Sequence, residues 1–204
     1  MPATPRFTRQ TASARRGSLI DAALRCLARG GITSFTIDNI SKEAQVSRGL
    51  INHHFDGIED LMLAVYVSMT SSMEESGRAA FLVDGGPEQR LLAVVDTMFA
   101  PPMFSRASLR AWLALWGEVA VNPKLRAAHR SSYGHYRRAM AAALADVAAA
   151  RKLKLDTDML ATTIIALIDG LWIEWCLDSS AVSRQTARDI MQHVLEARLG
   201  PIQR

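Results

Sequence analysis

The chain is poor in the residues that build covalent or metal scaffolds. Cys26 and Cys176 are its only cysteines, and each falls in a helical apolar pattern, so neither a disulfide framework nor a CxxC zinc site is available. No run of about 18 consecutive apolar residues occurs; the richest stretch, Met159 to Leu177, is interrupted by Asp169 and Glu174. The N-terminus carries no signal-like apolar segment. These absences predict a cytoplasmic protein without a membrane partner. Convincing strand alternation, internal repeats and low-complexity tracts are also missing. So are Ser-His-Asp or Cys-His constellations, metal-ligand spacings and phosphate loops, and the expectation is therefore no enzyme, no cofactor and no metal.

What is present is enough apolar residue in 204 positions to bury a substantial core, and a charge that is unevenly placed. Residues 1–55 carry eight Lys/Arg against three Asp/Glu, whereas the remainder is nearly balanced. A basic head on a neutral body suits nucleic-acid binding, although basic arms also serve as solubilising tails.

Nearly every segment has a helical period, with Gly and Pro between segments, which predicts an all-α protein of about nine helices. The first spans Thr11 to Arg29, with Leu19, Ile20, Ala23, Leu24 and Leu27 as its apolar stripe, and stops at Gly30-Gly31. Thr36 caps a second helix, Ile37 to Ala44, and Gln45-Val46 link it tightly to Ser47, which caps a third from Arg48 to Phe55. Longer helices follow over Ile58 to Leu82, from Pro87 to the Pro101-Pro102 stop, and over Ser105 to Val121. The last three run from Asn122-Pro123 to about Ala150, from Asp156 to Leu177, and from Ser183 to Gly200-Pro201.

Two short helices joined by a tight turn, behind a longer covering helix, make the helix-turn-helix plan, whose second short helix enters the major groove. An ordinary helical hairpin has the same spacing, but the basic arm and the polar Arg48, Asn52 and His53 favour DNA. The stretch from Thr36 to Phe55, with its Val46-Ser47-Arg48-Gly49 start and His54-Phe55 close, resembles the TetR-family signature. The resemblance implies residues 1–56 as a DNA-binding domain and 57–204 as a ligand-binding and dimerisation domain. Ile37, Ile40, Ala44, Val46, Ile51 and Phe55 then hold the head together, and Gly49 permits close approach of backbone or DNA.

Arg48 is the first base-reading candidate, because a guanidinium bonds guanine O6 and N7 together; Asn52 and His53 follow. Thr36 and Ser47 at helix N-termini suit phosphate oxygens, and Lys42 adds charge. Two departures from the family pattern weaken backbone anchoring: Asn52 where many members carry Tyr, and Ile58 at a phosphate-contacting Lys position. Arg6 and Arg9 in the arm could compensate from the minor groove. The adjacent His53 and His54 do not form a metal pair, since neighbours one apart on a helix point in different directions.

In the body, Arg110 to Glu118 puts Trp112 and Trp116 on one helical face, and Ala166 to Trp175 puts Asp169 three residues before Trp172. Both segments resemble the choline-responsive, BetI-type branch of the family, which implies a cationic amine as effector. Quaternary ammonium groups bind indole faces by cation–π attraction, and a carboxylate supplies the counter-charge. Trp at this spacing equally serves core packing. A carboxylate in an apolar helix is costly unless it lines a pocket or pairs, with Arg110, His129 or a hydroxyl as the available partners. Tyr133 and Glu118 are further ligand candidates.

The family resemblance also makes the last two helices a homodimer interface, with Ile168, Leu171, Trp175, Ile190 and Val194 as expected contacts, although these faces could instead close the monomer's own core and the eighth helix cannot give every apolar side chain to both pocket and partner. The expected function is a repressor of double-stranded operator DNA whose affinity falls when a small molecule binds. Alternatives are an uncharged apolar inducer, a helical-bundle enzyme using Asp169 and Glu118 as acid and base, and a nonspecific DNA-packaging protein.

Overall fold

The computed structural model describes residues 11–202. Arg6 and Arg9 lie outside this range. Among the described residues the chain is all-helical, with α1 (Ala12–Gly30), α2 (Ile37–Ala44), α3 (Arg48–His54), α4 (Ile58–Phe81), α5 (Pro87–Met98), α6 (Arg106–Val121), α7 (Pro123–Arg151), α8 (Thr157–Leu177) and α9 (Arg184–Leu199). A 3-10 turn at Ile32–Ser34 follows α1.

Local chemistry sets most boundaries. The hydroxyls of Thr11, Thr36, Ser47, Ser105 and Ser183, and the side chains of Asn122 and Asp156, accept from backbone N–H groups in the first turns of α1, α2, α3, α6, α9, α7 and α8. Each such cap satisfies donors that the helix itself cannot. Pro87 and Pro123 stand at the first position of α5 and α7, where no N–H is needed. The α2–α3 link turns on Gln45, at φ 56°, an unusual conformation for a residue with a Cβ.

Leu19, Ile20, Ala23 and Leu27 of α1 are buried as their spacing predicts, while Leu24 is only partly covered. α1 packs on α2 and also meets α4 and α6, so the head is seated on the body mainly through α1. α7 is the central strut and touches α4, α5, α6, α8 and α9. Near its end Arg151 donates to Glu88 at the start of α5 and to the carbonyls of Leu199 and Pro201 at the end of α9, fastening three helix ends together.

α8 is long and apolar enough, by length and composition, to cross a membrane. Here it packs against α6, α7 and α9. Ile168 and Leu171, expected at a dimer interface, are 1% and 6% exposed within their own chain. They close the monomer's core and have no surface to offer a partner. Trp175 is partly exposed but engaged internally, 4.5 Å from the Phe104 ring with the Arg106 guanidinium 5.8 Å above it. Ile190 and Val194 keep partial exposure on α9.

Candidate DNA interface and effector site

The head is a rigid platform. Ile40, Ile51 and Phe55 are buried, and Ile37, Ala44, Val46 and Ile58 pack around them. Arg25 and Arg29 of α1 clamp Glu43 of α2 at 2.7 and 2.9 Å, and these bonds hold the Glu43 carboxyl below the usual range. The Arg16 guanidinium covers the Phe55 ring at 4.6 Å. Ile58, at the position where the family pattern expects a lysine, is thus a packing residue.

Thr36, Lys42, Ser47, Arg48, Gly49, Asn52 and His53 are all exposed, on α2, α3 and their caps. A Cβ at Gly49 would meet only the Ser47 hydroxyl, at 3.9 Å, so nothing inside the chain demands a glycine there. The rings of His53 and His54 meet edge to face, with centroids 5.2 Å apart and planes 70° from each other. Spacing gives no sign that Arg48 is already engaged: its guanidinium donates to Asp38 of α2 at 2.6 Å. Both partners are largely exposed, so the pair is weak and exchangeable.

In the body, Asp169 sits on the inward side of α8 and accepts from the Tyr133 hydroxyl of α7 at 3.3 Å. Of the partners expected for this carboxylate, a hydroxyl is the one found; Arg110 is exposed and His129 bonds elsewhere. Burial raises the Asp169 carboxyl to about 7, partly opposed by the Tyr133 hydrogen bond. Around it, rings link in series: Trp116 to Trp112 at 5.8 Å, Trp112 to Tyr66 at 5.9 Å, His129 to Tyr133 at 4.1 Å and Tyr133 to Tyr136 at 6.3 Å. The Tyr66 hydroxyl and His129 Nδ1, 2.9 Å apart, join the two runs. Burial, and then the charge of Asp169, keep the phenols of Tyr66 and Tyr136 protonated beyond the ordinary range. Burial, followed by the charge of Arg137, lowers His129.

A cavity of about 430 Å³ opens at this cluster between α6, α7 and α8, and Trp116, His129, Tyr133, Arg137 and Asp169 are among its walls. Its size falls within the range of small-ligand sites. Trp116, Tyr133 and Asp169 are therefore brought together as the sequence suggests. The other three ligand candidates are not. Trp172 is 2% exposed, and its indole N–H donates to the Met98 carbonyl at 3.0 Å, which makes it a satisfied core residue. Trp112, at 1% exposure, stands behind Trp116 and faces a separate cleft toward α1. Glu118 is half-buried and does not line the Asp169 cavity. Tyr66 and Tyr136 carry no sequence signal as site residues, because they enter from α4 and α7, far from Asp169 along the chain; His129, expected only as a partner of that carboxylate, lines the cavity without bonding to it.

Residues 19–65 match the sequence model described as bacterial regulatory proteins, tetR family, and residues 87–200 match the BetI-type transcriptional repressor C-terminal model. The HTH-type transcriptional regulator BetI of Escherichia coli O17:K52:H18 is 31% identical over 92% of this chain and 95% of its own length. A transcriptional regulator of Pseudomonas aeruginosa PAO1 superposes with a TM-score of 0.84 at 32% identity, covering 94% of this chain and 93% of that one. A regulator from Saccharomonospora viridis, solved in complex with choline, superposes with a TM-score of 0.81 at 25% identity, over 94% of this chain and 100% of that one. With an exposed α3 on a clamped head, a cavity in the helical body and these relatives, the chain belongs to the TetR family as a ligand-responsive transcriptional repressor with a BetI-type C-terminal domain.

Proposed function

We propose that this repressor releases its operator when a compact organic cation, choline or betaine aldehyde first, binds beside Asp169. One observation carries the reading: a half-buried carboxyl that pairs with no cation among the described residues, set among indole, imidazole and phenol rings. Such rings attract a quaternary ammonium through their negative faces, and the carboxylate supplies the charge that the cation leaves behind in water. The choline held by the Saccharomonospora viridis relative supports the same chemistry. Arg137 at the cavity wall limits the room for a second positive group and favours a ligand with a single charge.

On the DNA side, Arg48 reads base edges once it exchanges Asp38 for guanine, with Asn52 and His53 beside it. Thr36, Ser47 and Lys42 hold phosphates, and Gly49 lets the backbone of α3 lie close to the duplex. Two copies pair through the outward faces of α8 and α9, where Ile190 and Val194 are free to meet their symmetry mates. The residues from 57 onward form the sensing and pairing domain, and those before it the DNA-binding domain.

Calorimetric titration with choline and its neutral analogue 3,3-dimethylbutanol tests the cation site. Choline should bind and lower operator affinity in a mobility-shift assay, the neutral isostere should bind at least about tenfold more weakly, and Asp169→Asn should erase the difference. Equal affinity of the wild-type protein for both compounds refutes the reading.

A further inference from the structure

Of the two acidic side chains on α2 and α3, Glu43 is committed to the arginines of α1, whereas Asp38 lies against Arg48. Asp38 stands in the first turn of α2 and Arg48 opens α3. The hydrogen bond from Arg48 Nη2 to Asp38 Oδ2, at 2.6 Å, therefore crosses between the starts of the two short helices. The Arg48 and Asp38 side chains are 68% and 50% exposed, and an ion pair this open adds little to the stability of the fold. A carboxylate in that place also works against binding, since it repels the phosphates that a basic head otherwise attracts. What it does control is the charge that Arg48 can offer to DNA.

A lone surface arginine strengthens the hold on any duplex, because pairing with a phosphate releases a condensed counterion whatever the sequence. Arg48 joined to Asp38 is net neutral. Moving its guanidinium from carboxylate to phosphate exchanges one oxygen anion for another and leaves the Asp38 charge uncompensated beside the backbone. A guanine edge differs, because O6 and N7 take two N–H donors in a fixed plane, a match that the single Nη2–Oδ2 bond does not provide. The same pair thus resists nonspecific contact and opens for the right base. Weakening the wrong complex is a general route to discrimination. An acid at a helix start also favours the helix dipole, but that role alone would leave DNA selectivity untouched.

We propose that Asp38 is a specificity-determining residue of the DNA interface, one that withholds Arg48 from phosphates and releases it to guanine. The inference rests on Arg48 as a base reader and adds to it a residue that acts by competition.

The probes are a duplex selected by the full-length protein from a random pool and the same duplex with its sequence shuffled, each titrated by fluorescence anisotropy over a range of salt. Asp38→Asn should bind the shuffled duplex about three- to tenfold more tightly at about 0.1 M salt, and its salt dependence should steepen by about one counterion. Affinity for the selected duplex should rise by no more than about twofold, so the ratio between the two falls. Asp38→Glu, which keeps the charge, should stay near the wild-type ratio. In an Arg48→Ala background, Asp38→Asn should change shuffled-duplex binding by less than about twofold. An unchanged ratio in Asp38→Asn, or an equal gain in both backgrounds, would overturn the proposal; the second result would reduce Asp38 to bare repulsion of phosphates. If Arg48→Ala binds both duplexes as wild type does, the reader assignment itself has failed and the role of Asp38 falls with it. If Arg48→Ala loses the preference for the selected duplex while Asp38→Asn keeps the ratio, the reader stands and only the role of Asp38 is lost. Both side chains are outside the buried core of the head, and Asp38→Ser gives the same comparison should Asp38→Asn fold poorly.

Discussion

Asp169 is a residue whose chemistry alone announces its surroundings. A carboxylate within an apolar helix signals a pocket or a partner, and the fold supplies both, in the cavity and in Tyr133. Its indole neighbours are less legible. Trp112, Trp116 and Trp172 are chemically identical and similarly spaced on their helices, yet only Trp116 lines the Asp169 cavity. Periodicity tells which residues share a face but not what covers that face. The raised carboxyl of Asp169 makes a prediction in which the sign matters. Its folded value of about 7 lies above the ordinary 3.8, so the folded state binds the proton more tightly and loses stability as pH rises from about 4 to 7. Asp169→Asn should therefore melt higher than wild type at pH 8, by about 2–4 kcal/mol of stability, with the gap closing toward pH 4. Thermal unfolding across that range without ligand checks this; a gap independent of pH would mean that the carboxyl is not held protonated by burial.

At the scale of elements, caps and prolines make nearly every helix end readable, because each reflects a local need of the backbone. Long-range order is harder. The apolar residues of α8 surround the helix too broadly to say which go inward, so the pattern offers Ile168 and Leu171 to a partner although they close the chain's own core. α4 is the element that joins the parts: it starts beside Phe55 of the head, carries Tyr66 and its bond with His129 about a third of the way along, and ends at Phe81 against α5 and α7. His129 stacks on the same Tyr133 that holds Asp169. Tyr66→Phe removes only the hydroxyl that ties α4 to this group. Choline and operator should each still bind it with affinities near wild type, while the loss of operator affinity caused by choline should shrink by about 1 kcal/mol of coupling. Mobility-shift titrations with and without choline measure that quantity, and an unchanged ligand effect would exclude this bond as a coupler.

For the molecule as a whole, the division into a basic head and a neutral body is visible from charge alone, and the structure joins the two mainly through α1 against α4 and α6. Pairing of two copies is accessible only through family resemblance, because a single chain's pattern does not separate a core from an interface. Val194 is partly exposed and lies outside the buried cluster, so Val194→Glu should leave helicity intact. It should nevertheless shift the protein to monomers in analytical ultracentrifugation and weaken operator binding sharply, since two half-sites must be engaged together. A variant that remains dimeric would move the interface away from this face of α9.

The length of α4 has a mechanical consequence. At 1.5 Å per residue, Ile58 stands about 34 Å and Tyr66 about 22 Å from Phe81. If the Phe81 end is the fulcrum, a push at Tyr66 arrives at the head enlarged roughly one and a half times, so a shift of about 1 Å at the aromatic cluster displaces the base of each reading helix by more than the ligand itself moves. In a two-fold assembly the two arms swing in opposite senses, and the change in gap between the heads is larger again.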